Sequence, residues 1–128
     1  MRYLVDTNAW IALFENNPVL TEEAAQAMES AETECFVSIA SIWEAAIKVG
    51  IGKLKLPYDL ETDLPRILED NGFELLGVEI GDAAGVRALE PVQGDPFDRI
   101  QVIQARRRKL QIISRDPVFD RYGLKRIW

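Results

Sequence analysis

The chain has 128 residues, 48% of them hydrophobic, and one cysteine, so we expect a single globular domain over residues 1–128 that folds without disulfides. It has no histidine, which excludes serine–histidine–aspartate triads and histidine-pair nucleases and removes the usual zinc ligand. The formal net charge of −6 argues against a protein that coats nucleic acid by charge alone.

The N-terminal sequence MRYLVDTNAW lacks the basic start and longer apolar stretch of a secretion signal. No apolar run is long enough to span a bilayer. Cys35 lies in the apolar stretch CFVSIA, which is typical of a buried thiol in a reducing compartment. We therefore expect a cytoplasmic protein with no membrane partner.

Strand-like and helix-like segments alternate regularly along the chain. Their order predicts a mostly parallel sheet with helices on both faces, which is an α/β fold. The predicted elements, in chain order, are the strand RYLVD, the helix NAWIALF, a helix from Thr21 to Met28, the strand ECFVSIA, the helix SIWEAAIKVG, a helix from Asp63 to Asn71, the strand FELLGV, the short helix IGDAAGVRALE, the long helix DPFDRIQVIQARRRK, the strand LQIIS, the helical turn RDPVFDRY and the edge strand LKRIW.

Two acids stand where predicted strands end. Asp6 closes the first strand and Asp116 follows LQIIS. Ligands of open parallel sheets bind outside the carboxyl ends of the strands, so both acids are candidate site residues. Both also fit helix N-caps, because Asp6 precedes Thr7 and Asp116 precedes Pro117. The local sequence leaves these two interpretations equally open.

Two further acids stand near the starts of helices. Ser41 and Glu44 have the spacing of a capping box, in which Glu44 would bind the Ser41 backbone. Asp95 and Pro96 fit a cap and a first helical residue, which places Asp98 one turn into the helix. Both helix starts belong to the sheet edge that carries the first two acids, so we predict that all four carboxylates converge.

Converging carboxylates repel one another unless a cation lies among them. Oxygen ligands without histidine or thiolate favour Mg²⁺ or Mn²⁺, which also accept phosphate oxygens. The sequence therefore indicates hydrolysis of a phosphodiester by metal-activated water.

Several motifs together resemble the PIN-domain nucleases, and among them the VapC-like toxins of bacterial toxin–antitoxin pairs. They are YLVDTNAWIAL, SIWEAAIKVGIGKLKL, DPFDRIQVIQA and IISRDPVFDRYGLKRIW, and the match spans the whole chain. By this resemblance Asp6, Glu44 and Asp98 match the metal-coordinating acids of the family, and Asp116 matches its fourth acid. Ser114 matches the hydroxyl residue just before that acid, and Asn8 would orient Asp6 from outside the metal's own ligands.

The resemblance implies a three-layer α/β/α sandwich and Mg²⁺- or Mn²⁺-dependent endonucleolytic cleavage of RNA. It also implies a homodimer and inhibition by a cognate antitoxin protein. Two departures bear on substrate contacts and efficiency. Relatives commonly carry a histidine shortly before the DPFDR motif, where this chain has residues 90–94 (EPVQG), and Gln101 replaces a residue that is usually aliphatic.

Basic residues next to the acids are candidate phosphate contacts. Arg99 follows Asp98, and Arg115 precedes Asp116, so both could reach RNA phosphates or simply pair with neighbouring acids. The basic end of the long helix, 106–109 (RRRK), is predicted to face solvent. In a dimer, Trp10 and the helix beginning near Trp43 are apolar enough to contribute to the shared surface.

Two alternatives remain open at this point. A receiver-like signalling domain also places acids and Mg²⁺ at strand ends, but FELLGV does not end in an aspartate and LQIIS leads to Arg115 rather than lysine. A PIN fold could instead be inactive and serve only as an antitoxin-binding module, although the intact acids weigh against this.

Overall fold

The computed structural model describes residues 1–128 and contains one five-stranded sheet. The strands are β1 (Arg2–Val5), β2 (Glu34–Ser38), β3 (Phe73–Leu76), β4 (Gln111–Ile113) and β5 (Arg126–Ile127). Their order is β3-β2-β1-β4-β5, and every neighbouring pair is parallel. The predicted parallel sheet is confirmed, with the C-terminal strand at one edge.

Helices connect the strands and cover the sheet. They are α1 (Thr7–Phe14), α2 (Glu22–Glu29), α3 (Ile39–Gly50), α4 (Leu64–Asp70), α5 (Ile80–Gly85), α6 (Pro96–Arg108) and α7 (Val118–Arg121), with a 3₁₀ turn at Val86–Ala88 after α5. Each corresponds to a predicted helix. No helix has the length and apolar character needed to cross a membrane.

Side chains alternate between the two faces of each strand, which divides the core into two layers. Tyr3 and Val5 pack on one face with residues of α1, α2 and α4, among them the fully buried Trp10. Ile112 of β4 packs on the opposite face with Val102 of α6 and Phe119 of α7. The predicted α/β fold is thus confirmed as a three-layer α/β/α sandwich.

The boundary between β2 and α3 differs from the predicted one. The strand ends at Ser38 and α3 begins at Ile39, two residues before the expected start. Ser38 caps the helix, because its side chain accepts a hydrogen bond from the Ala40 N–H at 3.0 Å. Apolar residues continue across the junction, so hydrophobicity alone did not mark it; the serine cap does.

The strand order creates a switch point between β1 and β4. The chain moves outward from β1 through β2 to β3 and then returns to the other side of β1. At this point the Asp6 N–H donates to the Ile113 carbonyl at 2.9 Å. Such a switch point opens a crevice at the carboxyl ends of the strands. Receiver domains have the order 2-1-3-4-5, so the receiver-like alternative is wrong.

The basic end of α6 is not simply solvated, which corrects the sequence prediction. Arg107 and Arg108 donate to Asp82 of α5 at 2.7 and 2.9 Å, and Asp82 is fully buried. Burial raises the pKa of this carboxyl, but hydrogen bonds from Arg108, the Glu79 backbone and Arg107 outweigh it and hold the pKa at about 2. The pairing fastens α5 to α6.

Candidate active site

The four acids predicted from sequence line one cleft of about 450 Å³ at the switch point. Asp6 follows β1, and Asp116 lies three residues after β4. Glu44 comes from α3 and Asp98 from the first turn of α6. The fold thus brings together side chains from four separate segments at the carboxyl ends of the central strands.

Asp6 is the most firmly held of the four, with 3% of its surface exposed. Its Oδ1 accepts from the Thr7 N–H at 2.8 Å and from Nε2 of Gln101 at 3.1 Å. Its Oδ2 accepts from Oγ of Ser114 at 2.7 Å and from Nδ2 of Asn8 at 3.1 Å. Burial raises the pKa of Asp6, and the hydrogen bonds from Ser114, Thr7 and Gln101 oppose that rise.

Asp6 therefore is both a cap and a cleft residue. It caps α1 through the Thr7 N–H, while its remaining acceptor positions face Asn8, Ser114 and Gln101. The two interpretations that the sequence left open are compatible, because a carboxylate has enough lone pairs to serve a helix end and other donors at once.

Glu44 does not form the predicted capping box, because Ser41 lies inside α3 rather than at its start. Instead, Oε1 of Glu44 accepts from Oγ1 of Thr7 at 2.6 Å, and Oε2 lies 3.3 Å from Nζ of Lys48. Thr7 is 2.6 Å from Oγ of Ser41, which in turn accepts from Nε1 of Trp10 at 2.8 Å.

These contacts form a chain of hydrogen bonds from Trp10 through Ser41 and Thr7 to Glu44, here called the relay. Each hydrogen bond in it is donated towards Glu44. The Trp10 indole can only donate and an ionised Glu44 can only accept. Ser41 therefore accepts from Trp10 and donates to Thr7, and Thr7 donates to Glu44. A fully buried tryptophan in the core thus fixes the orientation of a carboxylate in the cleft.

Asp98 carries the clearest electrostatic sign that the acids share a cleft. Burial, followed by the charges of Asp6, Asp95, Glu44 and Asp116, raises its pKa to about 8. Neighbouring negative charges disfavour a further ionised carboxylate, which is the interaction expected of acids gathered around a cation.

Asp116 and Asp95 also line the cleft. Oδ1 of Asp116 accepts from the Val118 N–H at 2.9 Å, so it too serves a helix start. Asp95 caps α6, as predicted, by accepting from the Phe97 and Asp98 N–H groups at 2.8 and 3.0 Å. Its position beside the acids was not predicted.

The carboxylates surround the cleft without closing on one point. As the side chains are placed, no three acidic residues are arranged to hold a metal ion. The physical cause is visible in their contacts: Asp6 already accepts four hydrogen bonds, and Glu44 is engaged by Thr7 and Lys48. Binding an ion here requires side-chain movement, for which Asp98 and Asp116, both half-buried, have the most freedom.

The two candidate arginines are placed differently. Arg115 lines the cleft, is exposed, and forms no side-chain hydrogen bond or salt bridge. Arg99 does not line the cleft. Its Nη1 donates to the carbonyls of Glu90 and Gln93 at 2.9 and 3.2 Å. This placement argues against Arg99 as a phosphate contact and gives it a structural role in the loop before α6.

Two residues that were not predicted as part of the site donate hydrogen bonds to the acids. Thr7 binds Glu44, and Gln101 binds Asp6. Thr7 was treated only as a neighbour of a cap, although its position directly after Asp6 offered a signal. Gln101 was noted only as a departure from the aliphatic residue that is usual in the family, because its partner lies 95 positions away in the chain and the contact depends on the tertiary fold.

Solved structures of similar fold include a toxin–antitoxin complex and an endonuclease. VapBC2 from Rickettsia felis, bound to a promoter DNA fragment, aligns with a TM-score of 0.73 and 15% identity over 99% of this chain and 98% of that one. A toxin–antitoxin complex from Klebsiella pneumoniae aligns with a TM-score of 0.60 and 21% identity over 90% of this chain and 87% of that one. The PIN domain endonuclease Utp24 aligns with a TM-score of 0.54 and 17% identity over 95% of this chain and 76% of that one.

The sequence gives one family match and no match to a curated protein. The match is to the PIN domain and covers residues 3–125, so it includes β1 from Tyr3 onward and all of β2, β3 and β4, and it ends just before β5. It also includes all five acids that line the cleft. With the parallel sheet and the acid-lined switch point, this establishes that the chain belongs to the PIN domain family and has its nuclease fold.

Proposed function

We propose that this protein is a Mg²⁺- or Mn²⁺-dependent endoribonuclease that acts as the toxin of a toxin–antitoxin pair. The observation that carries the proposal is the meeting of Asp6, Glu44, Asp98 and Asp116 at one cleft. Membership of a family with a nuclease fold adds to it.

The residues of the cleft fit a hard divalent cation. All the candidate ligands are carboxylates, which Mg²⁺ and Mn²⁺ prefer, and the chain has no histidine to bind zinc. The pKa of Asp98, raised to about 8 by burial and by four neighbouring acids, marks a charge conflict that a cation relieves. Asp6, Glu44 and Asp98 would hold the ion, with Asp116 as a fourth ligand.

A bound divalent ion would act as a Lewis acid that neutralises phosphate charge and activates water for attack on the phosphodiester. The chain's own residues prepare the site for this. Asn8 and Ser114 hold Oδ2 of Asp6 at 3.1 and 2.7 Å, and the relay through Thr7 orients Glu44. Arg115 would contact a substrate phosphate at the rim of the cleft.

Likeness of fold supports the toxin assignment. The similar structure from Klebsiella pneumoniae is a toxin–antitoxin complex. By analogy, a cognate antitoxin would bind this chain and block the acidic cleft. The homodimer expected of such a toxin would use the exposed apolar side chains of Ile39, Trp43 and Ile47 on α3. Trp10 is fully buried and cannot contribute, which corrects the sequence prediction.

The metal dependence is tested by incubating the purified protein with a mixed RNA pool in Mg²⁺, in Mn²⁺ and in chelator. We expect cleavage with either ion, none in chelator, and a loss of at least about a hundredfold in Asp6→Asn or Asp98→Asn. Glu69→Gln removes an exposed acid outside the cleft and should cut at the normal rate.

RNA decay that is as fast in chelator, or with the Asp6→Asn protein, as with the wild type in Mg²⁺ or Mn²⁺ would overturn the proposal. A protein that binds Mn²⁺ but leaves every RNA intact would favour the alternative, a catalytically inactive PIN fold that binds an antitoxin. Mn²⁺ binding is followed independently by the electron paramagnetic resonance signal of the free ion.

A further inference from the structure

We propose that Gln101 is a positioning residue that holds the Asp6 carboxylate from the buried side of the cleft and so strengthens the binding of a divalent cation. This inference rests on the proposed function, because it concerns the same site. Gln101 is fully buried, and its Nε2 lies 3.1 Å from Oδ1 of Asp6. It stands where the family resemblance leads us to expect an aliphatic side chain.

The contacts of the Gln101 amide fix which end faces the acid. Its nitrogen donates to Asp6 and also to the Phe97 carbonyl at 3.3 Å, so both amide hydrogens have partners. Its Oε1 is buried with no hydrogen-bond partner. Turning the amide over would place that oxygen against a carboxylate oxygen and a carbonyl, and both contacts would be repulsive.

An unpartnered buried oxygen costs free energy that an aliphatic residue would avoid. The chain bears this cost at Gln101, the residue of α6 whose side chain donates to the buried acid. The hydrogen bond from the Gln101 amide to the Asp6 carboxylate offsets this cost, because a hydrogen bond to a charged group is stronger than one between neutral groups. The polar side chain is therefore explained by Asp6 rather than by packing.

The position of Gln101 on α6 also relates it to Asp98. It lies three residues after Asp98, which puts both side chains on the same side of α6. Gln101 thus links the helix that carries Asp98 to the acid that follows β1. With an aliphatic residue, Oδ1 of Asp6 would keep only the Thr7 N–H and could turn away from Asp98.

The same helix supplies a matched control. Gln104 is also fully buried, its Oε1 also lacks a partner, and its Nε2 donates to the Gly77 carbonyl at 3.2 Å. It contacts none of the acids. Gln101→Met and Gln104→Met each replace a buried amide by an unbranched apolar chain of similar length, so their difference isolates the contact with Asp6.

The test compares the Mn²⁺ dissociation constants of the wild type and both variants, measured from the resonance of the free ion. Loss of a side chain that supports a metal ligand typically weakens binding about 10- to 100-fold, and we expect this for Gln101→Met. Gln104→Met should stay within about twofold of the wild type. Equal shifts in the two variants, or tighter binding by Gln101→Met, would overturn the role of Gln101.

A measurement on the wild type covers the case in which a variant fails to fold. In a Mg²⁺ titration followed by NMR, the side-chain amide signal of Gln101 should shift while that of Gln104 stays in place. Parallel behaviour of the two amides refutes the inference. Absence of any Mn²⁺ uptake by the wild type would instead defeat the proposed metal site itself, so the two failures are distinguishable.

Discussion

Replacing Thr7 by valine tests whether the relay from the core sets the position of Glu44. Valine has nearly the same shape but no hydroxyl, so the packing around α1 is kept. The change removes the 2.6 Å hydrogen bond to Oε1 of Glu44 and leaves the Ser41 hydroxyl without its acceptor.

The expected magnitude follows from these contacts. A hydrogen bond to a charged group contributes about 1.5–3 kcal/mol, and a buried hydroxyl that loses its partner costs about 1–3 kcal/mol more. We therefore expect the free energy of unfolding to fall by roughly 2.5–6 kcal/mol. RNA cleavage at saturating Mn²⁺ should fall about 10- to 100-fold, because the carboxylate loses the donor that orients it.

Thr33→Val is the matched control. Oγ1 of Thr33 donates to the Ala27 and Ser30 carbonyls at 2.7 and 2.9 Å, and none of these three residues lines the cleft. This variant should lose about 1 kcal/mol of stability and none of its cleavage rate. Urea unfolding and single-turnover cleavage measure the two quantities. Equal cleavage rates in the two valine variants would refute the role of the relay.

Three further predictions concern charge. Because Asp98 has a folded-state pKa of about 8, against 3.8 for a free side chain, the stability it contributes is complete at acid pH and is lost as pH rises through that window. The free energy of unfolding of the metal-free protein should therefore fall between pH 4 and pH 8, by up to about 1.4 kcal/mol per pH unit, and its melting temperature should fall with it. If the free energy of unfolding depended on pH just as steeply in Asp98→Asn, this would contradict the prediction. Asp82→Asn should lower the urea-unfolding free energy by about 3 kcal/mol at neutral pH, since it leaves two arginines without their buried partner. The wild type should lose that advantage as pH falls from 3.8 towards 2, because the pKa of Asp82 is held at about 2; an Asp82→Asn protein as stable as wild type would refute the pairing. Arg115→Gln should weaken RNA binding and reduce its salt dependence by about one charge, whereas Arg99→Gln should lower the melting temperature and leave RNA binding intact; the reverse outcome would exchange the roles of the two arginines.

The order and type of the elements are determined by local sequence. Alternating apolar runs and helix signals predicted each strand and helix, because hydrophobic periodicity and cap residues act over a few neighbouring positions. Asp95 followed by Pro96 correctly marked the start of α6. Ser38 shows the limit, since the apolar stretch runs through it and the helix begins two residues before the expected position.

The cleft depends on the tertiary structure. The sequence marked Asp6 and Asp116 as ends of strands, but only the strand order puts β1 beside β4 and so places the two acids at one crevice. The contacts of Glu44 with Thr7 and of Asp6 with Gln101 join residues 37 and 95 positions apart. Local patterns carry no information about such pairs.

What the sequence by itself determined is the chemistry available to this protein: no histidine, carboxylates at the ends of strands, and a basic residue beside one of them. What only the tertiary structure decided is which polar groups support those carboxylates and which arginine is free. The reason is physical. Helix and strand signals act between neighbours, whereas the orientation of a buried charge depends on donors brought to it by folding.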